Sequence, residues 1–164
     1  MFLLTADLSR LARWLRLLGF DAAISSSNEV SKLLQVCQLQ NRILLTRIKR
    51  NDKLKANKKV LIINSEHYGE QLKQVVQELQ LREFCIFSRC LYCNRSVYPI
   101  AREKIIHRLP EKVKNRETKF TQCRKCGRLY WKGTHYERML QTLDSLLDGI
   151  IHKNIGEFVL TDFR

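Results

Sequence analysis

Two cysteine pairs, Cys90-Leu91-Tyr92-Cys93 and Cys123-Arg124-Lys125-Cys126, are separated by 29 residues. The short spacing within each pair turns both thiolates toward one ion. Two such knuckles close a tetrahedral tetrathiolate site, the usual structural zinc arrangement. Gly127 follows the second pair at once and suits the tight turn of a knuckle. The alternative use of these cysteines is two disulfides. The N-terminus MFLLTADLSR has no basic leader region and no long apolar run, so no export signal is expected. A cytoplasmic location follows, where thiols stay reduced and hold metal. Cys37 and Cys85 lie in apolar surroundings and read as core residues.

A second chemistry would need carboxylates. Metal-dependent phosphodiester hydrolysis uses acids to hold Mg²⁺ or Mn²⁺, which orients water and offsets phosphate charge. Asp7, Glu29 and Asp52 are the candidates. Each has a plainer reading: Asp7 as a helix cap, Glu29 as a first-turn partner of a helix dipole, Asp52 as a solvated loop charge.

The chain has 164 residues, with 30 Lys and Arg against 16 Asp and Glu, a net charge of +14. Such an excess implies a polyanionic partner. Residues 89–138 hold 14 Lys and Arg against four acids, so this stretch alone carries +10. Tyr92, Tyr98, Phe120, Tyr130, Trp131 and Tyr136 lie among these charges, and cations mixed with ring faces suit looped or single-stranded RNA. For Tyr98 and Phe120 a place in a small core is the expectation. Arg10, Arg13 and Arg16 form a stripe at helical spacing; with Arg47, Lys49, Arg50, Lys53 and Lys55 they would contact phosphate. In the cysteine module, Arg124, Lys125, Trp131, Lys132 and His135 are the expected RNA contacts. Trp131 has packing against the zinc knuckle as its alternative, and His135 a place as a substitute zinc ligand. No stretch reaches the roughly 20 apolar residues of a membrane span, and no basic amphipathic membrane-surface helix stands out.

These residues need elements to position them. Phe2-Leu3-Leu4 reads as a buried strand. Leu8, Leu11, Ala12, Leu15 and Leu18 then mark a helix over 7–18, stopped by Gly19. A helix over 29–40 buries Val30, Leu33, Leu34 and Cys37. Residues 42–46 form a buried strand, 47–59 a basic loop and 60–63 another strand. Asn64-Ser65 can cap a helix over 66–80, with Leu72, Val75, Val76 and Leu79 inward, and 84–87 supply a further strand. Alternating strands and helices imply an α/β domain with a parallel sheet, whose ligands meet the carboxyl ends of the strands. Those ends are Thr5-Ala6-Asp7, Thr46-Arg47-Ile48 and Asn64-Ser65. The expected divisions are 1–88 for this domain, 89–138 for the zinc module and 139–164 for a C-terminal helix and tail. Residues 101–119 form a charged insertion between the knuckles. A helix over 136–150, with Met139, Leu140, Leu143, Leu146, Leu147 and Ile150 on one side, would pack on its own domain or dock a protein partner.

The run from Phe2 to Asp21, the segment Arg42-Ile-Leu-Leu-Thr-Arg47 and the pair Gln71-Leu72 resemble the Mut-seven C-terminal RNase domain. So do Arg89-Cys-Leu-Tyr-Cys-Asn94, Leu109-Pro110, Cys123-Arg-Lys-Cys-Gly127 and Tyr130-Trp-Lys-Gly-Thr-His135. The resemblance runs from about residue 2 to about residue 139. It implies a PIN-like nuclease fold, a parallel sheet flanked by helices, joined to a four-cysteine zinc ribbon. It also implies a ribonuclease whose acids include Asp at two positions where this chain has Thr5 and Ile48. The expectation is therefore an RNA-binding protein, with a ribonucleoprotein as its setting, with structural zinc and with metal-dependent hydrolysis weakened or lost. The alternative is an active Mg- or Mn-dependent ribonuclease using Asp7, Glu29 and Asp52.

Overall fold

The computed structural model describes residues 1–116 and 118–147. Four parallel strands, β1 (Phe2–Leu4), β2 (Ala22–Ile24), β3 (Ile43–Thr46) and β4 (Val60–Ile62), form a sheet in the order β2-β1-β3-β4. Chain order reverses at β1, so the strand ends on either side of it form the crevice where such sheets take ligands. Alternate residues of each strand face opposite layers. Phe2, Leu4 and Leu45 join one core with α1 (Ser9–Leu17), α4 (Tyr68–Glu78) and α6 (Thr134–Leu146). Leu3 and Leu44 join the other, under α2 (Val30–Leu39) and the one-turn α3 (Asp52–Lys55). Burial on both faces explains the continuous apolar runs of the strands.

The stripe expected over 7–18 is borne out: Leu8, Leu11, Ala12, Leu15 and Leu18 are fully buried, with a single 3-10 turn (Ala6–Leu8) leading into α1. Gly19 ends α1 at φ +97°, where Phe20 N donates to Leu15 O and Gly19 N to Arg16 O. This is a Schellman cap, and only glycine fits it here: a Cβ would lie 2.5 Å from Cys85 O.

The segment 84–87 is not a strand. Its Cys85 and Phe87 amides donate to Leu18 and Leu17 carbonyls, so it straps the open end of α1 instead of joining the sheet. Phe84, Ile86 and Phe87 are buried by that strap, whereas Cys85 is exposed and has no core role. Cys37 is buried as expected. The edge strand β2 was not foreseen. In the basic loop, Asn51 caps α3 through its Oδ1, which accepts from Leu54 N.

The cysteine module is an antiparallel sheet of β5 (Val97–Ile100), β6 (Phe120–Cys123) and β7 (Leu129–Trp131). The charged insertion carries a small core of its own. Ile105, Leu109 and Val113, the last on α5 (Glu111–Lys114), pack with Phe120 and against Trp131. Phe120 is thus a core ring; Tyr98, expected beside it, is 39% exposed. α6 returns to the first domain. Leu143 and Leu147 are buried, Tyr136 stacks on Phe87 at 4.5 Å, and Leu146 lies over Gly69. The described part of the expected 136–150 helix therefore uses its apolar face inside the protein. Ile150, with the rest of 148–164, lies outside the described residues.

Candidate metal centre and two flanking clefts

The four knuckle cysteines converge. Their sulfurs all lie within 4.8 Å of one another, with Cys90 Sγ and Cys126 Sγ 3.7 Å apart. A tetrahedron with metal–sulfur bonds of about 2.3 Å has edges of about 3.8 Å. All four thiols are unpaired, and their mutual convergence suits one shared ion rather than two separate disulfides. The two knuckles are copies in backbone terms. Asn94 N donates to Cys90 O and Gly127 N to Cys123 O, and both residues take positive φ, 59° and 69°. Cys90 N donates to Arg95 O, and Cys123 N to Arg128 O. Asn is the side chain that best tolerates this conformation after glycine, so Asn94 was readable from its place after the first pair.

The four crowded thiols differ in acidity. The hydrogen bond with Cys126, together with burial, pushes Cys93 up to about 12. Burial also raises Cys126, but hydrogen bonds from Arg128 and the neighbouring thiols outweigh it and bring it down to about 6. Tyr130 Oη donates to Cys90 Sγ at 3.1 Å and accepts from Leu91 N. The donor set fits a soft or borderline divalent ion such as zinc, whose binding would expel the remaining protons. His135 is exposed and is not part of this group.

The module is fastened to the sheet by buried polar contacts. Arg16 is 5% exposed: its Nε donates to Ala22 O, and its Nη1 to Leu91 O and Tyr92 O in the first knuckle. The arginine stripe is thus not one RNA-facing surface. Arg16 is a clamp, Arg13 lies over the Tyr92 ring at 5.2 Å, and Arg10 over Tyr68 at 4.6 Å. Asn94 makes the second fastening. Its Oδ1 accepts from Ala22 N and its Nδ2 donates to Asp21 Oδ1, which also accepts from Arg42 Nη1 at 2.7 Å. Burial alone would raise the Asp21 pKa, but the Arg42 and Asn94 hydrogen bonds hold it below the usual carboxylate range.

Between edge strand β2 and the knuckles lies a cleft of about 960 Å³. Arg16, Arg42, Arg89, Arg95, Arg124 and Lys125 line it against one acid, Asp21. Arg16, Arg42 and Arg89 are committed to protein acceptors. Arg95, Arg124 and Lys125 are exposed on the rim, Arg124 over the Tyr98 ring at 4.1 Å. Arg89, Arg95, Tyr98 and Asn94 were not singled out as partner-facing from sequence, because only the packing of the knuckle against β2 gives them a common cleft.

The other cleft, about 370 Å³, opens at the ends of β1 and β3 and is lined by Thr5, Asp7, Asn28, Arg47 and Ile48. Asp7 is its one acid. Glu29 is exposed and paired with Lys32 at 2.7 Å, and Asp52 is exposed at the start of α3. Among the described residues, the cysteines are the one group of three or more metal-ligating side chains close enough to share an ion. Divalent Mg or Mn is held largely by carboxylates, and this lining does not fit one. Arg47 pairs with Glu66, while Lys49 and Arg50 are exposed on the following loop and Lys53 and Lys55 on α3. Lys132 is exposed too; Trp131 is half-buried, but it packs on Phe120 and the core of the insertion and not on the zinc knuckle, where Tyr130 packs instead.

Comparison with curated proteins gives no match, and comparison with solved structures gives none. Among protein families, residues 1–143 match the Mut7-C RNAse domain, a nuclease-like, RNA-related family. With a match over most of its length, the chain belongs to the Mut7-C RNAse domain family.

Proposed function

We propose that this protein binds RNA in the cleft between β2 and the knuckles, with zinc in the four-cysteine site and with the metal-dependent hydrolysis of the family weakened or lost. The observation that carries the reading is the contrast in cleft linings. Arg95, Arg124 and Lys125 stand exposed on the rim of the larger cleft, and the strand-end cleft has a single carboxylate. Cations on a concave surface take polyanions, and the exposed Tyr98 beside Arg124 offers a stacking face for an unpaired base. A cytoplasmic protein acting within a ribonucleoprotein is consistent with reduced thiols and with this basic surface. Among the described residues, no helix is long and apolar enough to cross a membrane.

RNA affinity measured over a salt series tests this. Counterion release predicts a steep log-linear fall, with the slope reduced by about one for each rim cation lost in Arg124→Gln or Lys125→Gln. A flat salt dependence, or full affinity in the double variant, would refute the assignment of this cleft.

A further inference from the structure

We infer that the strand-end cleft seats a terminal phosphate of the bound RNA and does so without a divalent ion. The inference rests on the RNA-binding reading above and adds which part of the RNA the second cleft takes. The lining supplies donors where a metal site would supply carboxylates: the Thr5 hydroxyl, the Asn28 amide and the Arg47 guanidinium. These match phosphate oxygens, and Asp7 can accept from an adjoining ribose hydroxyl.

Thr5 carries a second, independent observation. It is 1% exposed, and its backbone is fully engaged, N to Leu45 O and O from Leu8 N. Its Oγ1 is buried with no partner among the described residues. Buried hydroxyls are rarely left so, and one at the wall of a polar cleft points to an oxygen ligand. Arg47 Nη2 is held by Glu66 Oε1 at 2.5 Å, which orients the guanidinium and leaves its other donors for a ligand.

Chain geometry connects this cleft to the basic one. Ile24 lines the basic cleft and is the register partner of Leu4, the residue before Thr5. Ser25 N donates to Leu4 O, closing the turn that leads to Asn28. The two clefts therefore adjoin across the carboxyl end of the β1–β2 pair. An RNA strand occupying both clefts would cross the end of this strand pair between Ile24 and Thr5. A monoester end, with three terminal oxygens to accept from Thr5, Asn28 and Arg47, uses these donors better than an internal diester with two.

The test uses the full chain, EDTA, and one labelled single-stranded RNA prepared with a 5′-phosphate, a 3′-phosphate or hydroxyls at both ends. One phosphorylated end is expected to bind about tenfold more tightly than the hydroxyl-ended RNA. The preference is a ratio taken within each protein, so a partial folding defect in a variant does not mimic its loss. Thr5→Val should cut the ratio severalfold, and Arg47→Gln should bring it to about one. Inorganic phosphate added as competitor should erode the preference and leave hydroxyl-ended binding in place, which marks the source as the phosphate group itself. Equal affinity for all three ends overturns this inference and leaves RNA binding standing. A preference seen only with Mg²⁺ or Mn²⁺ overturns it as well. Binding of none of the RNAs overturns both readings together.

Discussion

The cysteine module and the strand-end cleft differ in how their residues are held. The module places its sulfurs through two local turns of the same design, each with a positive-φ residue after the second cysteine. The strand-end cleft draws Thr5, Asn28 and Arg47 from separate elements, and only the parallel register of β1, β2 and β3 brings them together. A site built from local turns survives change elsewhere so long as its own residues remain. A site assembled from strand ends changes character with one or two side chains. Thr5 and Ile48, where the resemblance leads one to expect Asp, leave this cleft with Asp7 and Arg47 as opposed charges. The module side carries cations on its rim.

Breaking the knuckles should have the largest effect. Structural zinc in such sites supplies about 10 kcal/mol or more of folding free energy. Cys123→Ser, or chelation, should unfold the module and abolish RNA retention, read by zinc content beside affinity. Because Leu91, Tyr92 and Asn94 receive Arg16 and meet Asp21, the melting temperature of the first domain should fall too.

Gly19→Ala comes next. The φ of +97° and the 2.5 Å approach to Cys85 O predict a loss of more than about 2 kcal/mol, seen as a lower denaturant midpoint.

Asp21→Asn sharpens the comparison by loosening the fastening between the two regions. The Asp21 pKa is depressed in the folded protein, so its contribution is full above the unfolded value of about 3.9 and is lost as pH falls through the folded value. The variant should cost about 1–3 kcal/mol at neutral pH and little in strong acid, measured by denaturation across pH. The smallest effect belongs to Glu29→Gln, which removes an exposed carboxylate that lines neither cleft. RNA affinity should stay within about twofold, since electrostatic contacts in the basic cleft are untouched.

What was legible in the sequence was legible because its cause is local. The cysteine spacing is the knuckle, and the leucines of α1 repeat at the helical period with every member buried. Arg16 shares that period with Arg10 and Arg13, and spacing cannot say that two of its three carbonyl partners lie 75 and 76 residues away. The apolar run at 84–87 has strand composition, but its amides are taken by the carbonyls at the end of α1. β2 is three residues of Ala-Ala-Ile on an edge, too short and too weak in strand preference to declare itself. In the insertion, Ile105, Leu109 and Val113 are outnumbered by charges, and only Phe120 across the sheet makes them a core. Asp7, Glu29 and Asp52 were grouped by chemistry and chain position, whereas the cleft is grouped by register, which puts Asn28 rather than Glu29 beside Asp7.

The most direct test of the central claim is to incubate the zinc-loaded protein with labelled single-stranded RNA and Mn²⁺, following RNA retention and RNA integrity in the same samples. The account predicts RNA that is held, released by salt and recovered uncut. Cleavage that depends on Mn²⁺ and disappears in Asp7→Ala would contradict it.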